Sequence, residues 1–389
     1  MRIRDVLVHG ERERRDVVLG PPGGDVDGAG RVLVPSLVDL CCDPGFPGFP
    51  AREDLASLTS AALAGGFGDL VLSPRVDPVV DTPEQVSSLP RHANGVRLWP
   101  AGAVTAALRG EELAEIGLMM RAGAAALSDG GLPIRDSVVL RNALEYARGF
   151  GVRVLLRAAD AALDQLGVAN EGALSAQIGL RGNPAEAEEI GIARVTSLVR
   201  ATGAAVHLTH VGTARGVRLV EAARAEGLPL TASTPARSLL LDETVLADGG
   251  YDARYRLHPP LRAPSDRAAL CEAVRAGTLL VAADHQPRAP EEKELEFELA
   301  VPGSTGLESA FSAALTALDG DLDGVVRALC TGPRALLPER TGGWTLVDPE
   351  AEIVVRAGEH RSRARNDALD GRKLRGAVIA TFPGASLAT

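Results

Sequence analysis

Eight short apolar runs, each followed by a stretch of helical character, constrain this chain more than any other feature. The runs are "VPSLVDLCC" (34–42), "GDLVLSP" (68–74), "VRLWPAGAV" (96–104), "GAAALSD" (123–129), "VRVLLRA" (152–158), "AAVHLTH" (204–210), "LPLTAST" (228–234) and "GTLLVAAD" (277–284). Between most of them lie Ala/Leu/Glu/Arg segments such as "EDLASLTSAALAGG", "SVVLRNALEYARGF" and "GVRLVEAARAEG". Parallel strands need a crossover and a helix is the usual one, so this alternation predicts a parallel sheet. Gly65, Gly66, Gly149 and Gly227 stand where a helix end wants a left-handed residue. Eight such units predict an α/β protein built on a (β/α)8 TIM barrel. The working end of that architecture is the carboxyl end of the strands. Cys41, Asp43, Arg75, Asp129, Arg157, His210, Pro235 to Arg237, Asp284 and His285 fall there.

The chain ends read differently. Residues 1–33 look like hairpins around the turn cluster "GPPGG", and residues 342–380 again alternate like strands. The prediction is a small β-domain made of 1–33 plus 342–389, flanking a barrel over 34–341. The run "EEKELEFE" is read as a solvated loop or helix face. Aromatics are only 3% of the 389 residues, so the core must be Val, Leu and Ala. A net charge of −10 leaves no surplus of Lys and Arg to neutralise phosphates, which argues against nucleic acid. No apolar run reaches 18 residues, and "MRIRDVLVHGERERRD" lacks the pattern of a signal peptide, so no membrane association and a cytoplasmic location are expected. Four cysteines, two of them adjacent, do not make a disulfide framework.

Several residues admit both a chemical and a structural role. Residues two apart on a strand point to one face, so Cys41 and Asp43 could converge on a metal ion. Equally, Cys41 could be a small buried hydrophobe and Asp43 a turn cap. His207 and His210 lie on opposite strand faces, so they are not a joint pair; His210 is placed to face the mouth. Asp284, where an apolar strand runs into "DHQPR", could bind metal, accept a proton, or order its loop through backbone amides. Asp129 has the same choice. Arg157 at a strand end, and Arg75, Arg237 and Arg288 just beyond three others, weigh against a metal. Guanidinium cannot ligate, and two unit charges at ~4 Å interact by roughly 4 kcal/mol at an effective dielectric of ~20, doubled for a divalent ion.

These residues together resemble a family, the long-type bacterial dihydroorotases of the amidohydrolase superfamily. The resemblance rests on "VPSLVDLCCDPGFPG", "LSDGGLPIRD", "NEGALSAQIGLRGNPAEAEEIGIAR", "TGAAVHLTHVGTARGVRLV", "HPPLRAPSDRAAL", "AADHQPR", "EKELEFELAVPGSTGLE" and "RSRARNDALDG". It implies a TIM barrel of amidohydrolase type and a role in pyrimidine biosynthesis. It also implies where the family's metal ligands and substrate anchors should be, and there the chain departs. Cys41 and Asp43 stand where the family has His-x-His. Gly45 replaces an arginine, and Arg75 follows Pro74 in place of asparagine. Asp129-Gly130-Gly131 replaces Asp-Asp-Gly, and Arg157 replaces a histidine ligand. Pro235-Ala236-Arg237 replaces Pro-His-His, His258 replaces an asparagine, and Arg288 replaces a histidine. Of the family's catalytic set His210, Asp284 and Asp129 remain, with His285 and Pro287 beside them.

The expectation is therefore a dihydroorotase-like pseudoenzyme with no cofactor. By the same resemblance its partner is the aspartate carbamoyltransferase catalytic chain, within an oligomer. The alternative is an active cyclic amidohydrolase with one Zn2+ on Cys41, Asp43, Asp129, His210 and Asp284. A third possibility is that the arginine-lined mouth binds an anionic metabolite. Without a divalent ion, Asp43, Asp129 and Asp284 would face one another. Arg157 is expected to replace the metal by pairing with Asp284, Asp129 or both.

Overall fold

The computed structural model describes residues 1–19, 24–247, 251–339 and 342–387. The eight predicted runs all contain barrel strands: Leu37–Cys42, Phe67–Leu72, Val96–Ala103, Ala126–Ser128, Val154–Arg157, Val206–Thr209, Leu230–Pro235 and Leu280–Ala282. They are hydrogen-bonded side by side in chain order, all parallel. Helices pack outside, among them Leu55–Ala64, Ser137–Gly149, Glu186–Thr202, Ala214–Ala225 and Pro264–Arg275. Asp54, Asp136 and Thr213 start three of these helices by accepting backbone N–H groups in the first turn. Gly66 and Gly227 take left-handed φ near their helix ends; Gly149 stays helical, and Gly151 makes the left-handed turn instead. The barrel interior is filled by Val38, Leu40, Val71, Ala101, Ala126 and Leu155, small or branched, around one aromatic, Trp99.

The last strand does not form a ladder with the first. The seam is closed by Asp43 N–H donating to His285 O at 2.8 Å and by Ala283 N–H donating to the Asp39 side chain at 3.0 Å. A buried carboxylate thus stands in for a strand carbonyl.

A separate sheet gathers strands from both chain ends, ordered Lys373–Pro383, Gly343–Val354, Val32–Pro35, Arg2–Val8 and Arg14–Val18, with Asp25–Asp27 beside Arg2–Val8. Ile3, Val6, Val8, Val17, Leu33 and Leu346 form its own core. The first predicted run is therefore two strands. Val32–Pro35 pairs with Gly343–Val354, and Leu37–Cys42 enters the barrel. Pro35, with no N–H to offer a ladder, marks the change of sheet. Most of the "GPPGG" turn, 20–23, lies outside the described residues, as do 388–389. No helix among the described residues is long and apolar enough to cross a membrane.

Candidate functional site

The strand ends of the barrel surround a cavity of about 70 Å³ that opens to solvent. Cys41 from the first strand, His210 after the sixth and Asp284 after the eighth meet on its floor. His210 Nε2 lies 2.8 Å from Asp284 Oδ1, and Cys41 Sγ lies 3.6 Å from that oxygen and 3.8 Å from the imidazole nitrogen. Their ligand-capable atoms are all within 4.8 Å of one another. His210 and Asp284 both have positive φ, 61° and 49°. Non-glycine residues adopt that region at a cost, and it is enriched where side chains must be aimed.

The hydrogen bonds assign the charges. Asp284 Oδ1 also accepts from Gln286 Nε2 at 2.8 Å, and Arg237 donates both to Asp284 Oδ2 and, at 3.0 Å, to its carbonyl. Burial opposes ionisation of Asp284, but His210, Arg237 and Gln286 outweigh it and hold the carboxyl well below its usual range. His210 Nδ1 lies 2.9 Å from the Thr209 hydroxyl, which can donate to it or accept from it. Burial, with Asp284 and Asp39 adding to it, pushes the Cys41 thiol well above the usual range, so it is an S–H donor here.

The other predicted ligands are elsewhere. Asp43 does not join Cys41; its Oδ2 is 2.6 Å from Arg75 and 3.7 Å from Arg288. Burial works against its charge, and the two guanidinium groups hold the carboxyl below its ordinary value nonetheless. Asp129 is turned away from the cavity floor, accepting from Val104 N, Thr105 N and the Thr105 hydroxyl at 2.6–2.9 Å. It orders the loop after the third strand, and its burial raises its pKa. The three acids therefore do not face one another.

The pairing expected of Arg157 is corrected by its contacts. Arg157 bonds neither Asp284 nor Asp129; it makes a two-point pair with Asp164 and donates from Nε to Gly131 O at 2.6 Å. Its stem leaves the fifth strand toward its own following loop, where Leu163–Gln165 brings an acid seven residues on. Asp164 also takes His258 Nε2 at 2.9 Å. Asp164 carried no sequence motif; an acid one short loop beyond a strand-end arginine was the available signal. Arg237, not Arg157, is the cation on Asp284.

His285 is not at the cavity. It is fully buried, 3.2 Å from Glu53, which also accepts from Ser57, Ser362 and Arg363 N and so ties the first βα loop to residues 362–363. His207 points away from His210 and bonds the Thr231 and Ser233 hydroxyls at 2.9 and 3.0 Å. The "EEKELEFE" segment is partly anchored: Glu292 pairs with Arg52 and Phe297 is buried.

As a metal site, the floor fits one ion in kind. Thiol, imidazole and carboxylate all bind zinc, and bonds of ~2.0–2.3 Å in a tetrahedron give ligand separations of roughly 3.3–3.8 Å. The two sulfur distances match; the His210–Asp284 contact would have to open. A second ion does not fit, because Asp43 and Asp129 are engaged elsewhere and Arg157 cannot ligate.

Comparison with known proteins agrees with this architecture. A family profile described as Dihydro-orotase-like matches residues 30–215. A protein of Pelotomaculum thermopropionicum named dihydroorotase is 37% identical over 395 residues, covering 97% of this chain and 92% of its own. One of Syntrophotalea carbinolica, also named dihydroorotase, is 36% identical over 372 residues, covering 92% and 87%. Among solved structures, the L-hydantoinase (dihydropyrimidinase) of Arthrobacter aurescens superposes with a TM-score of 0.83 at 18% identity, covering 99% of this chain and 95% of that one. The dihydropyrimidinase of Brevibacillus agri gives 0.82 at 20%, covering 99% and 94%. The structural likenesses speak for the fold. The sequence matches, covering 92–97% of the chain, speak for descent: this chain belongs to the dihydroorotase-like family of amidohydrolases.

Proposed function

We propose that this chain is a dihydroorotase-like protein of pyrimidine biosynthesis that does not hydrolyse dihydroorotate and instead supports assembly of aspartate carbamoyltransferase. The observation that carries the reading is the pairing at the mouth. Asp43 is held by Arg75 and Arg288, Asp164 by Arg157, and Asp284 by Arg237. Each carboxylate facing the cavity or its rim has its positive charge from the protein, where a hydrolytic barrel would take it from metal ions. The anchors for a dihydroorotate-like ligand also depart at Gly45, Arg75 and Arg288. The carbamoyltransferase partner is drawn from family resemblance. The test has three readouts: metal content after purification without chelator, turnover of dihydroorotate, and co-elution with the carbamoyltransferase catalytic chain. The expected result is no zinc, no turnover and a joint peak. Turnover of dihydroorotate would overturn the reading.

One observation favours a second reading, an active cyclic amidohydrolase with a single zinc: Cys41, His210 and Asp284 converge. These three would hold the ion, which when bound acts as a Lewis acid on a carbonyl. Thr209 Oγ1 can accept from Nδ1–H as readily as it donates to Nδ1, so it would keep the ring oriented while freeing Nε2. With the dihydroorotate anchors changed, another cyclic amide or imide would be the substrate. About one zinc per chain, with activity lost in Asp284→Asn, would establish this reading.

A further inference from the structure

We propose that Arg237 gates a latent metal site, its guanidinium excluding a divalent ion from the donor set Cys41, His210 and Asp284. The inference rests on the non-hydrolytic reading and deepens it by naming the group responsible.

Of the mouth arginines, Arg237 is the one bonded to the donor set. Arg157 is committed to Asp164 and Gly131, and Arg75 and Arg288 sit on Asp43. Arg237 holds Asp284 at two points, the side-chain Oδ2 and the main-chain carbonyl. The pair is deeply buried, with side-chain exposures of 6% and 1%. At that depth the guanidinium cannot swing out without stranding a charge. Its backbone is short and fixed: it lies in the single 3-10 turn Ala236–Leu239 directly after the seventh strand. One carboxylate therefore has two possible cationic partners, a tethered guanidinium and a free ion. The tethered one is already seated, and a second cation beside it is repelled.

The donors themselves are set. His210 and Asp284 are held in left-handed backbone conformations that aim both side chains at Cys41. What stands against an ion is the guanidinium seated on Asp284 rather than the kind or number of donors. Neutralising residue 237 should then expose a site in which only the His210–Asp284 contact has to open.

The experiment compares wild type with Arg237→Gln, Arg237→Met and Arg237→Lys. Each is expressed with and without added zinc, then assayed for metal content, for the cobalt(II) absorption spectrum and for the shift of Tm on adding zinc. The neutral variants should bind about one ion per chain, at least tenfold more tightly than wild type. They should also show a thiolate-to-cobalt band and a zinc-dependent rise in Tm. Arg237→Lys should behave like wild type. Adding Cys41→Ser to Arg237→Gln should remove the band and the gain.

Stoichiometric zinc in wild type would overturn the gate, as would tight binding by Arg237→Lys. So would failure of a folded neutral variant to bind. Should neither neutral variant be recovered even with zinc supplied, the proposal is equally overturned, since an ion able to neutralise Asp284 would rescue them. Folded neutral variants without metal, beside a wild type inert toward dihydroorotate, would remove the gate and leave the proposed function standing. Turnover by metal-free wild type would do the reverse.

Discussion

Two buried polar clusters lie within a few residues of each other and are built on different plans. Behind the mouth, Arg262 donates to Asn170 Oδ1, Asn183 Oδ1 and Asn183 O at 2.7–3.0 Å, and Asn183 Nδ2 donates to Asp164 O at 2.6 Å. Nearby, Glu188 accepts from Gly212 N, Thr213 N and the Thr213 hydroxyl. Most of those bonds reach the main chain, so this block fixes loops. At the mouth the bonds run largely from arginine to carboxylate, so that cluster balances charge. The motifs that carry the family resemblance, NEG, RGNP and HPPLR, supply the first block. Residues that depart from the family supply the arginines of the second, Arg75, Arg157, Arg237 and Arg288. The comparison teaches that a barrel can keep its loop architecture while the electrostatics of its mouth are rewritten.

The largest effect should come from breaking the loop-fixing block. Arg262→Ala takes the donor from the buried oxygens of Asn170 and Asn183 and the nearby positive charge from buried Glu188, and should cost about 3–5 kcal/mol in chemical denaturation. A loss near that of a surface ion pair would mean that the block is not holding the loops.

Arg157→Ala breaks a mouth pair and should cost less, about 2–3 kcal/mol, because His258 still reaches Asp164. A variant as stable as wild type would count against the charge-balancing view.

Acid unfolding sharpens the contrast by supplying a baseline outside both clusters. Burial lowers the His207 pKa from 6.5 to about 3. The unfolded chain therefore takes up a proton that the folded one refuses. His207 alone should lower stability by about 1.4 kcal/mol per pH unit as pH drops through that window, offset in part by Asp39, whose burial raises its carboxyl pKa to about 6. His207→Gln should flatten the slope above about pH 5, where Asp164, held below the ordinary aspartate range chiefly by His258 and Arg157 against its burial, has not begun to contribute. A slope unchanged in the variant would show that His207 is not its source.

The smallest effect belongs to Arg75→Ala. Its side chain is 36% exposed and Arg288 remains near Asp43, so at most ~1 kcal/mol should be lost. A cost as large as that of Arg157→Ala would erase the distinction between rim and interior.

The barrel was legible because strand alternation and helix caps are local. The eight runs each contain a strand, and only the first concealed two, since the switch at Pro35 depends on where the distant Gly343–Val354 lies. Cys41, His210 and Asp284 could be placed at the mouth from strand ends alone. Which arginine met which acid could not: Arg157 turned to its own loop, and the 3-10 turn after the seventh strand delivered Arg237 to Asp284. Asp129 likewise spends its carboxylate on Thr105. Partner choice depends on loop paths that periodicity does not encode.

Where the eighth strand meets the first, the cylinder is stitched by one main-chain bond and the Asp39 carboxylate. A zipper with so few teeth should open before the rest of the barrel. The Ala283 and Asp43 amides should exchange with deuterium sooner than those of the Val154–Arg157 and Val206–Thr209 neighbours, whose pairing is continuous. The seam also runs directly beneath Cys41 and Asp284. Any molecule that grips both would fasten the staves together, and its arrival would be read first as slowed exchange along that line.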